Sequence, residues 1–547
     1  MNSQRQRDRH HRLSRWRREG VGRDFILRDL VSSGSVLAMP KLSAHLLMLT
    51  LIFIMIRQTA SLTAAPPTLR RIKVAILGSG MSGVTVASTL LDEIKSNNKL
   101  KLDITIYEAG RGIGGRMSTR YTGEKKQEQQ QQQRLQFDHG CQYIGPAKTD
   151  EFKLALHTWN QRGWIKEWKG KFGRIVYTNN NKQSSETTTA TSTSSIAYEE
   201  TTNDTIRYVG YPRMNSICEN IITHSLLDAV SAEHLPSHQE EITPSTLTVI
   251  TNTRIQHATS LLHNSISDYS STNDNNYFYK GSRMWQLAEK KKHNTTTTNI
   301  NEDESLVVGD DDDDGGYYDW LVLTDLSSAR SLINMHDNDN NDQLSSFITS
   351  GGVGYIPVCT TMITLNQPLT SIPVDGIEFS PNMDDKFGSL GWMARDSSKP
   401  GRRRNNNDDD DDDDDKRESW VLQSTSQGGK AILDTMKGQT LNDIREGIRK
   451  TMVNDFTNAI PHLLSVIGGG DNNDDVIDIT NMPTVIDSVG HRWGAAFPIN
   501  AKLDMNSYID TTQQLVVCGD YFGARHGRVE GAFQSGRSAA QNLIRQL

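Results

Sequence analysis

Cysteine is scarce in this chain of 547 residues: there are four, at 141, 218, 359 and 518, and none forms a CxxC pair. That spacing excludes a zinc site, a dithiol redox pair and a disulfide framework. The four are expected to be small buried apolar residues. Apolar residues are also thin, at 35%, because much of the length is low-complexity sequence. Glutamines crowd Gln129–Gln133, Thr and Ser fill 187–195, and Asn and Thr dominate 271–302. Such tracts cannot bury apolar surface and read as solvated loop insertions. Charge of one sign is lacking too. The runs Asp310–Asp314 and Asp408–Asp415 hold thirteen acids, and without them the formal −7 becomes +6. The acidic balance therefore points to no partner, and no nucleic acid is expected.

The first residues read as an address. Residues 1–38 carry nine arginines against four acids, and Leu42–Ile56 is a mostly apolar stretch followed by small residues. The stretch is short for a membrane span and suits a signal h-region. The arginine-rich front also fits an organellar presequence, and a membrane anchor is a third reading. The expected destinations are the secretory pathway and the cell exterior, or a plastid or mitochondrion. No stable span is expected in the mature chain, and the folded part should begin near Arg70.

From there, "RIKVAILGSG" (71–80) reads as a buried strand, "GVTVASTLLDEI" (83–94) as a helix and "LDITIYEA" (102–109) as a second strand. This is the βαβ unit of a parallel dinucleotide-binding sheet. Further expected strands are 246–258, 317–325, 419–425 and 513–520, and expected helices are 214–230, 441–456 and 531–547. A nucleotide fold thus opens the chain, is interrupted, and is completed by its last thirty-five residues.

Gly78, Gly80 and Gly83 form G-x-G-x-x-G between the first strand and its helix. The glycines permit the turn, the close approach of a pyrophosphate and tight helix packing, so phosphate meets the helix N-terminus. Glu108, thirty residues after Gly78, is placed to accept hydrogen bonds from ribose hydroxyls. NAD, NADP and FAD all use this turn. The loop after Glu108 separates them. "GRGIGGRMSTR" brings Gly110, Gly112, Gly114 and Gly115 together with Arg111, Arg116 and Arg120. An NAD site has little use for a second glycine–arginine loop, whereas the FAD pyrophosphate and ribityl chain run on past the first helix. At the far end, Gly519-Asp520 after a buried strand suits a carboxylate accepting from the ribityl chain. A helix opening at Val529–Gly531 would aim its positive end at the flavin. The cofactor expected is FAD.

These pieces resemble the renalase family, within the flavin amine oxidase group. They are "VAILGSGMSGV", "YEAGRGIGGRMSTR", "FDHGCQYI", "RYVGYPRMNSICENI", "SLGWMARDSSKPGR", "HRWGAAFP" and "GDYFGARHGRVEGAFQSGRSAA", in family order across 72–547. The resemblance implies an α/β fold: a Rossmann-like FAD-binding domain of the GR2 flavoprotein type, interrupted by a mixed-sheet substrate domain. The expected parts are a targeting segment at 1–65, FAD-binding parts at 70–155, 206–345 and 486–547, a substrate-domain insertion at 156–205 and the substrate domain at 346–485. It also implies roles for residues. Met81, Ser82 and the helix amides would meet the pyrophosphate, Glu108 the ribose, and Arg111 and Arg116 the diphosphate region. Ile255 would sit at the adenine, His139, Gln142 and Tyr143 by the flavin, Asp520 on the ribityl, and Val529 and Glu530 would offer backbone groups near the ring. Cys141 stands where the family usually has a small residue.

A nucleophile and a catalytic dyad are also missing from the motifs. Hydride transfer demands positioning more than acid–base groups. Trp392, Arg395, His491 and Trp493 are the candidates for the substrate face: tryptophans stack on planar rings, and Arg395 suits a phosphate or carboxylate. The reaction implied is oxidation of misformed dihydronicotinamide isomers of NAD(P)H, with hydride passing to flavin and electrons to O2, in a monomer. The alternatives are an amine or polyamine oxidase, and an FAD-binding protein without turnover. Amine oxidases often carry a lysine linked by water to the flavin, and no lysine in these motifs is assigned that part.

Overall fold

The structure is a computed structural model, which describes residues 70–95, 100–122, 135–179, 194–202, 205–231, 245–262, 283–289, 316–333, 353–381, 384–402, 417–467 and 482–547. The expected targeting segment, the glutamine tract and both Asp runs lie outside the described residues. So do most of the Thr/Ser and Asn/Thr tracts.

The strand Arg70–Leu77 ends in four successive buried residues, Val74 to Leu77. A strand buried on both faces loses the usual alternation, which is the mark of a parallel sheet covered by helices on each side. It sits inside a six-stranded sheet in the order Tyr508–Asp510, Leu515–Val517, Trp320–Leu323, Arg70–Leu77, Leu100–Tyr107, Thr246–Ile250. All neighbours run parallel except the outermost pair, 508–510 with 515–517. The helix Met81–Ile94 covers one face through Val84, Ala87, Leu90, Leu91 and Ile94. The closing helix Val529–Ile544 packs directly on it. A Cβ on Gly536 would lie 2.4 Å from the Ser82 carbonyl oxygen, so only glycine lets the two backbones come this close. The expected α/β Rossmann-like fold is present, and both ends of the described chain build it.

The second layer is a mixed seven-stranded sheet: Val485–Ile499, Gly354–Leu365, Glu418–Ser424, Leu390–Arg395, Gly376–Phe379, Phe172–Asn179 and Ser194–Glu200. The long helix Leu441–Ile467 lies over it and buries Ile448, Met452, Phe456, Ala459, Ile460, Leu463 and Leu464. Spacings of three and four make that single stripe. The strand Val485–Ile499 pairs along its length with Gly354–Leu365. The chain therefore returns to the nucleotide sheet only after Ile499, later than the boundary expected at 486. Residues 246–258, expected as one strand, are two, Thr246–Ile250 and Ile255–Leu262. Asn252, at φ +58°, turns the chain between them.

A buried ionic cluster ties the layers together. Asp138 ends the short strand Gln136–Asp138; Asp396, Lys399 and Arg402 follow Leu390–Arg395. Lys399 Nζ lies 2.6 Å from Asp396 Oδ1, 3.5 Å from Asp138 Oδ2 and 3.4 Å from Gln142 Oε1. Arg402 donates to Asp396 Oδ2 at 3.0 Å and also to Asp138. Thr119 Oγ1 and the Met214 N–H complete the shell of Asp138. Burial works against the charge of Asp396, but Lys399 and Arg402 outweigh it and hold the carboxyl below the usual carboxylate range. Two acids and two bases thus satisfy one another out of water, and fix the 138–142 segment against the second sheet.

Candidate functional site

A cavity of about 480 Å³ opens between the two sheets. Its wall on the nucleotide side begins with the glycine turn. Gly78 has φ +106°, and a Cβ there would strike Thr324 Oγ1 at 2.3 Å; one on Gly83 would lie 2.0 Å from the Gly78 carbonyl oxygen. Positions 78 and 83 of the turn are therefore closed to other side chains. The helix after the turn starts at Gly80 with no side-chain cap and no acid in its first turn. Its first amides keep their donors for a ligand, and the helix dipole favours an anion there. Gly78, Gly80, Met81 and Ser82 all line the cavity, while Gly83 packs behind it.

Glu108 stands at the end of the second strand. Its carboxylate accepts from Ser79 N at 2.9 Å, Ser79 Oγ at 2.6 Å and Gly110 N at 2.6 Å. It shapes the turn as well as facing the cavity, which it shares with Thr253, Arg254 and Ile255. Gly114, at φ +121°, and Gly115 carry the next loop past this wall.

Arg116 and Asp520 were expected to make separate contacts, with a diphosphate and a ribityl chain. The structure pairs them instead. Arg116 Nη1 and Nη2 donate to the two Asp520 oxygens, each at 2.6 Å, and Nη1 also donates to the Ala496 carbonyl at 3.1 Å. Burial would lower the arginine pKa, but Asp520 outweighs it and the net shift is upward. The reason is simple: a planar guanidinium facing a carboxylate in a half-buried cleft makes the bidentate pair. Gly519 turns the chain just before this acid, its N–H bound to Ser535 Oγ at 2.8 Å. Val529 lines the cavity at the start of the uncapped closing helix. The Glu530 side chain points elsewhere: it accepts from the Lys148 and Thr149 amides and from Arg525. Only its backbone remains available to the role expected.

The second sheet supplies the opposite wall through Tyr355, Val358, Gln423, Trp493 and Ala495–Phe497. Trp493 is held by a 3.0 Å bond from Nε1 to the His139 carbonyl. Its ring lies 5.0 Å from His139 and 4.5 Å from His491, and the two imidazoles are 4.7 Å apart. Burial, then His491 and Arg120, pushes His139 down to about 3. Burial, then Arg120 and Arg445, pushes His491 down to about 4. Both rings are neutral near pH 7 and pack edge-on to each other behind the indole.

That has a consequence for stability. An unfolded histidine titrates near 6.5, so below that pH the unfolded chain binds protons the folded one refuses, and stability falls as pH drops towards 4. The melting temperature should decline from pH 6.5 to 5, and His139→Gln/His491→Gln should flatten that slope. An identical slope in the double variant would mean the rings are not held neutral.

Other expected site residues lie off the cavity wall. Arg395 is a correction. It ion-pairs with Glu418 at 3.3 Å, donates to the Leu369 and Ile372 carbonyls at 3.1 and 2.8 Å, and covers the Trp420 ring. Glu418, one strand over, takes up its charge, and the residue does not line the cavity. Trp392 packs on Tyr143, 5.8 Å between rings, and against Gly376. Gln142 is occupied by Asp138, Gly140 and Lys399, and Arg111 is exposed. Residues not anticipated do line the cavity: Tyr107, Thr324, Asp325, Tyr355 and Gln423. Asp325 carried a readable signal, because it comes after the buried strand "WLVL" as Asp520 comes after "LVVC". The four cysteines are free. Cys141 touches the cavity, where burial pushes its thiol up to about 12. Among the described residues no group of His, Cys, Asp and Glu could hold a metal ion, and no helix is long and apolar enough to cross a membrane.

The family model of the NAD(P)-binding Rossmann-like domain matches residues 76–159. Similar solved structures include an oxidoreductase from Methanosarcina mazei, 9% identical, with a TM-score of 0.45, covering 87% of this chain and 100% of that one. Another is wild-type putrescine oxidase bound to putrescine, 10% identical, with a TM-score of 0.44 and coverage of 88% and 100%. The chain thus carries an NAD(P)-binding Rossmann-like domain, opened by the glycine turn and joined to a second, mixed sheet.

Proposed function

We propose that the chain is an FAD-dependent oxidase that takes hydride from dihydronicotinamide isomers of NAD(P)H, as its resemblance to renalases implies. The observation that supports this best is the reach of the cavity, from the uncapped helix at Gly80 to the indole of Trp493. The first half suits an adenine dinucleotide of any kind. The second half, with Arg116, Asp520 and the helix opening at Val529, suits a ligand that continues towards the second sheet, as FAD would. When bound, the flavin supplies the hydride acceptor, and O2 with protons takes the two electrons to give hydrogen peroxide and NAD(P)+.

The residues contribute placement. Trp493, fixed by the His139 carbonyl and backed by two neutral imidazoles, offers a rigid face on which a planar nicotinamide can stack. The helix opening at Val529 favours negative charge developing on the group beside it. Neither histidine is protonated near pH 7, so neither is a ready acid. Lys399 is consumed by Asp396 and lies off the cavity wall, which weakens the amine oxidase reading.

Stopped-flow mixing tests the proposal. Rapid bleaching of the yellow protein by isomerised NADH is the expected result. Bleaching by polyamines would move the reading to amine oxidation, and no bleaching by any donor would leave a binding protein without turnover. The flavin should also be non-covalent, because Cys141 is a protonated, poorly nucleophilic thiol. Acid precipitation should release all colour into solution, and colour retained in the pellet would refute this.

A further inference from the structure

Most of the charged side chains on the cavity wall are already engaged. Arg116 and Asp520 bind each other, and Glu108 holds the glycine turn. Asp325 accepts from the Ser328 amide at 2.8 Å, at the start of the helix Leu326–Ile333. Arg254 and Arg528 are left, both exposed and both lining the cavity. Among the described residues neither side chain makes an ion pair or a hydrogen bond. Arg254 belongs to the Glu108 end, since the amide of Thr253 before it donates to the Glu108 carbonyl at 3.0 Å.

Arg528 is at the other end, and short distances fix its place. The amide of Gly527, just before it, donates to the Asp520 carbonyl at 2.7 Å. Gly527 has φ +68°, and a Cβ on it would lie 3.3 Å from Pro498 Cδ and 3.7 Å from Phe497 Cδ1. The Arg528 carbonyl accepts from Ala532 at 3.1 Å as the closing helix begins. The backbone is thus pinned between Asp520, Phe497 and the helix, and the side chain is the part left to the cavity. Phe497 is a half-exposed ring on the same wall. It shares one face of its strand with Ala495 and Trp493, because alternate residues point the same way. The acids close by are taken: Asp520 by Arg116, and Glu530 by Arg525 at 2.9 Å.

An unpaired guanidinium beside an aromatic ring in a cleft suits an anion carried by a ring-bearing ligand. The phosphates of a dinucleotide cofactor belong elsewhere, at the helix opening at Gly80. Gly536 abuts Ser82 there, and Arg528 precedes Gly536 by a little over two turns, about 12 Å along the axis. The anion at Arg528 therefore comes from a second ligand. We propose that Arg528 binds the phosphate of the hydride donor, and so selects phosphorylated dihydronicotinamides over the bare riboside. The identity of the donor rests on the FAD oxidase reading, whereas the phosphate contact does not. A protonated diamine would be repelled by the same charge.

Two donors that share the ring and its hydride but differ by one phosphate test this on the FAD-loaded protein. They are the isomerised forms of dihydronicotinamide mononucleotide and of dihydronicotinamide riboside. The wild type should favour the mononucleotide in kcat/KM by about tenfold or more, the worth of one charge-assisted contact. Arg528→Gln should remove most of that preference, through KM, and Arg528→Lys should recover part of it. In calorimetric titration, oxidised nicotinamide mononucleotide should bind the wild type about tenfold or more tightly than Arg528→Gln, at equal FAD content. An equal fall with both donors would place the guanidinium against the flavin, and an unchanged ratio would place it in solvent. Either result overturns the proposal, as does a wild type without preference or a loss of FAD in Arg528→Gln. Mononucleotide binding that depends on Arg528, in a protein whose flavin no dihydronicotinamide bleaches, would uphold the phosphate contact and overturn the donor reading alone.

Discussion

Lys399→Met is expected to remove about 3–5 kcal/mol of folding stability, the cost of breaking a buried charge cluster by deleting one partner. Lys399 is fully buried, and its ammonium serves Asp396, Asp138 and Gln142 at once. Without it, two buried carboxylates face the single guanidinium of Arg402. One of them must then take a proton or admit water, and the 138–142 segment beside the cavity loosens. Urea denaturation measures the loss. Lys399→Met/Asp396→Asn should recover part of it, since removing both charges leaves less to desolvate. A single variant within about 1 kcal/mol of wild type would show that the cluster is not charged as drawn. Breaking the exposed Arg174–Glu378 pair is the useful contrast, expected to cost about 0–1 kcal/mol.

Glu108→Ala should weaken FAD binding by roughly ten- to a hundredfold or more, from about 1.5–3 kcal/mol for each charge-assisted bond lost. The geometry adds to this. The carboxylate holds Ser79 N, Ser79 Oγ and Gly110 N, so alanine strands a buried amide in the turn that shapes the phosphate end of the cavity. Glu108→Gln, with one good acceptor left, should fall between. Titrating apoprotein with FAD measures both constants. An unchanged dissociation constant in Glu108→Ala would assign the ribose to another carboxylate, with Asp325 next in line.

Local pattern was enough for the parts of the fold that depend on neighbours in sequence. The first strand, its glycine turn and helix, and the closing helix are visible because each is a short period of apolar residues with its own start signal. What sequence could not show is which side chains far apart in the chain neutralise one another. Arg395 looked free for a substrate, but Glu418 on the adjoining strand claims it. Arg116 and Asp520 looked like two ligand contacts, yet they bind each other across 404 residues. Lys399 and Asp138 are 261 residues apart, and neither motif alone says that it is half of a buried pair. Arg120 was read as part of a glycine–arginine loop, whereas its placement on a strand beside His139 separates it from the glycine turn. The split of residues 246–258 at Asn252 was missed for a similar reason, since Asn there reads as ordinary until its positive φ is seen.

The nucleotide sheet also carries a timing problem. Its central strand, Arg70–Leu77, leaves the ribosome early, but its partner Trp320–Leu323 emerges some 240 residues later, and Leu515–Val517 almost 200 after that. At about 5–20 residues per second, completing the sheet takes on the order of 20–90 s after the first strand appears. Throughout that interval an apolar strand with an open edge is available to wrong partners. The second sheet must fill the wait too, because it closes only with Val485–Ile499. Yield in cells should therefore track translation rate and holdase supply more closely than it tracks the stability of the finished molecule.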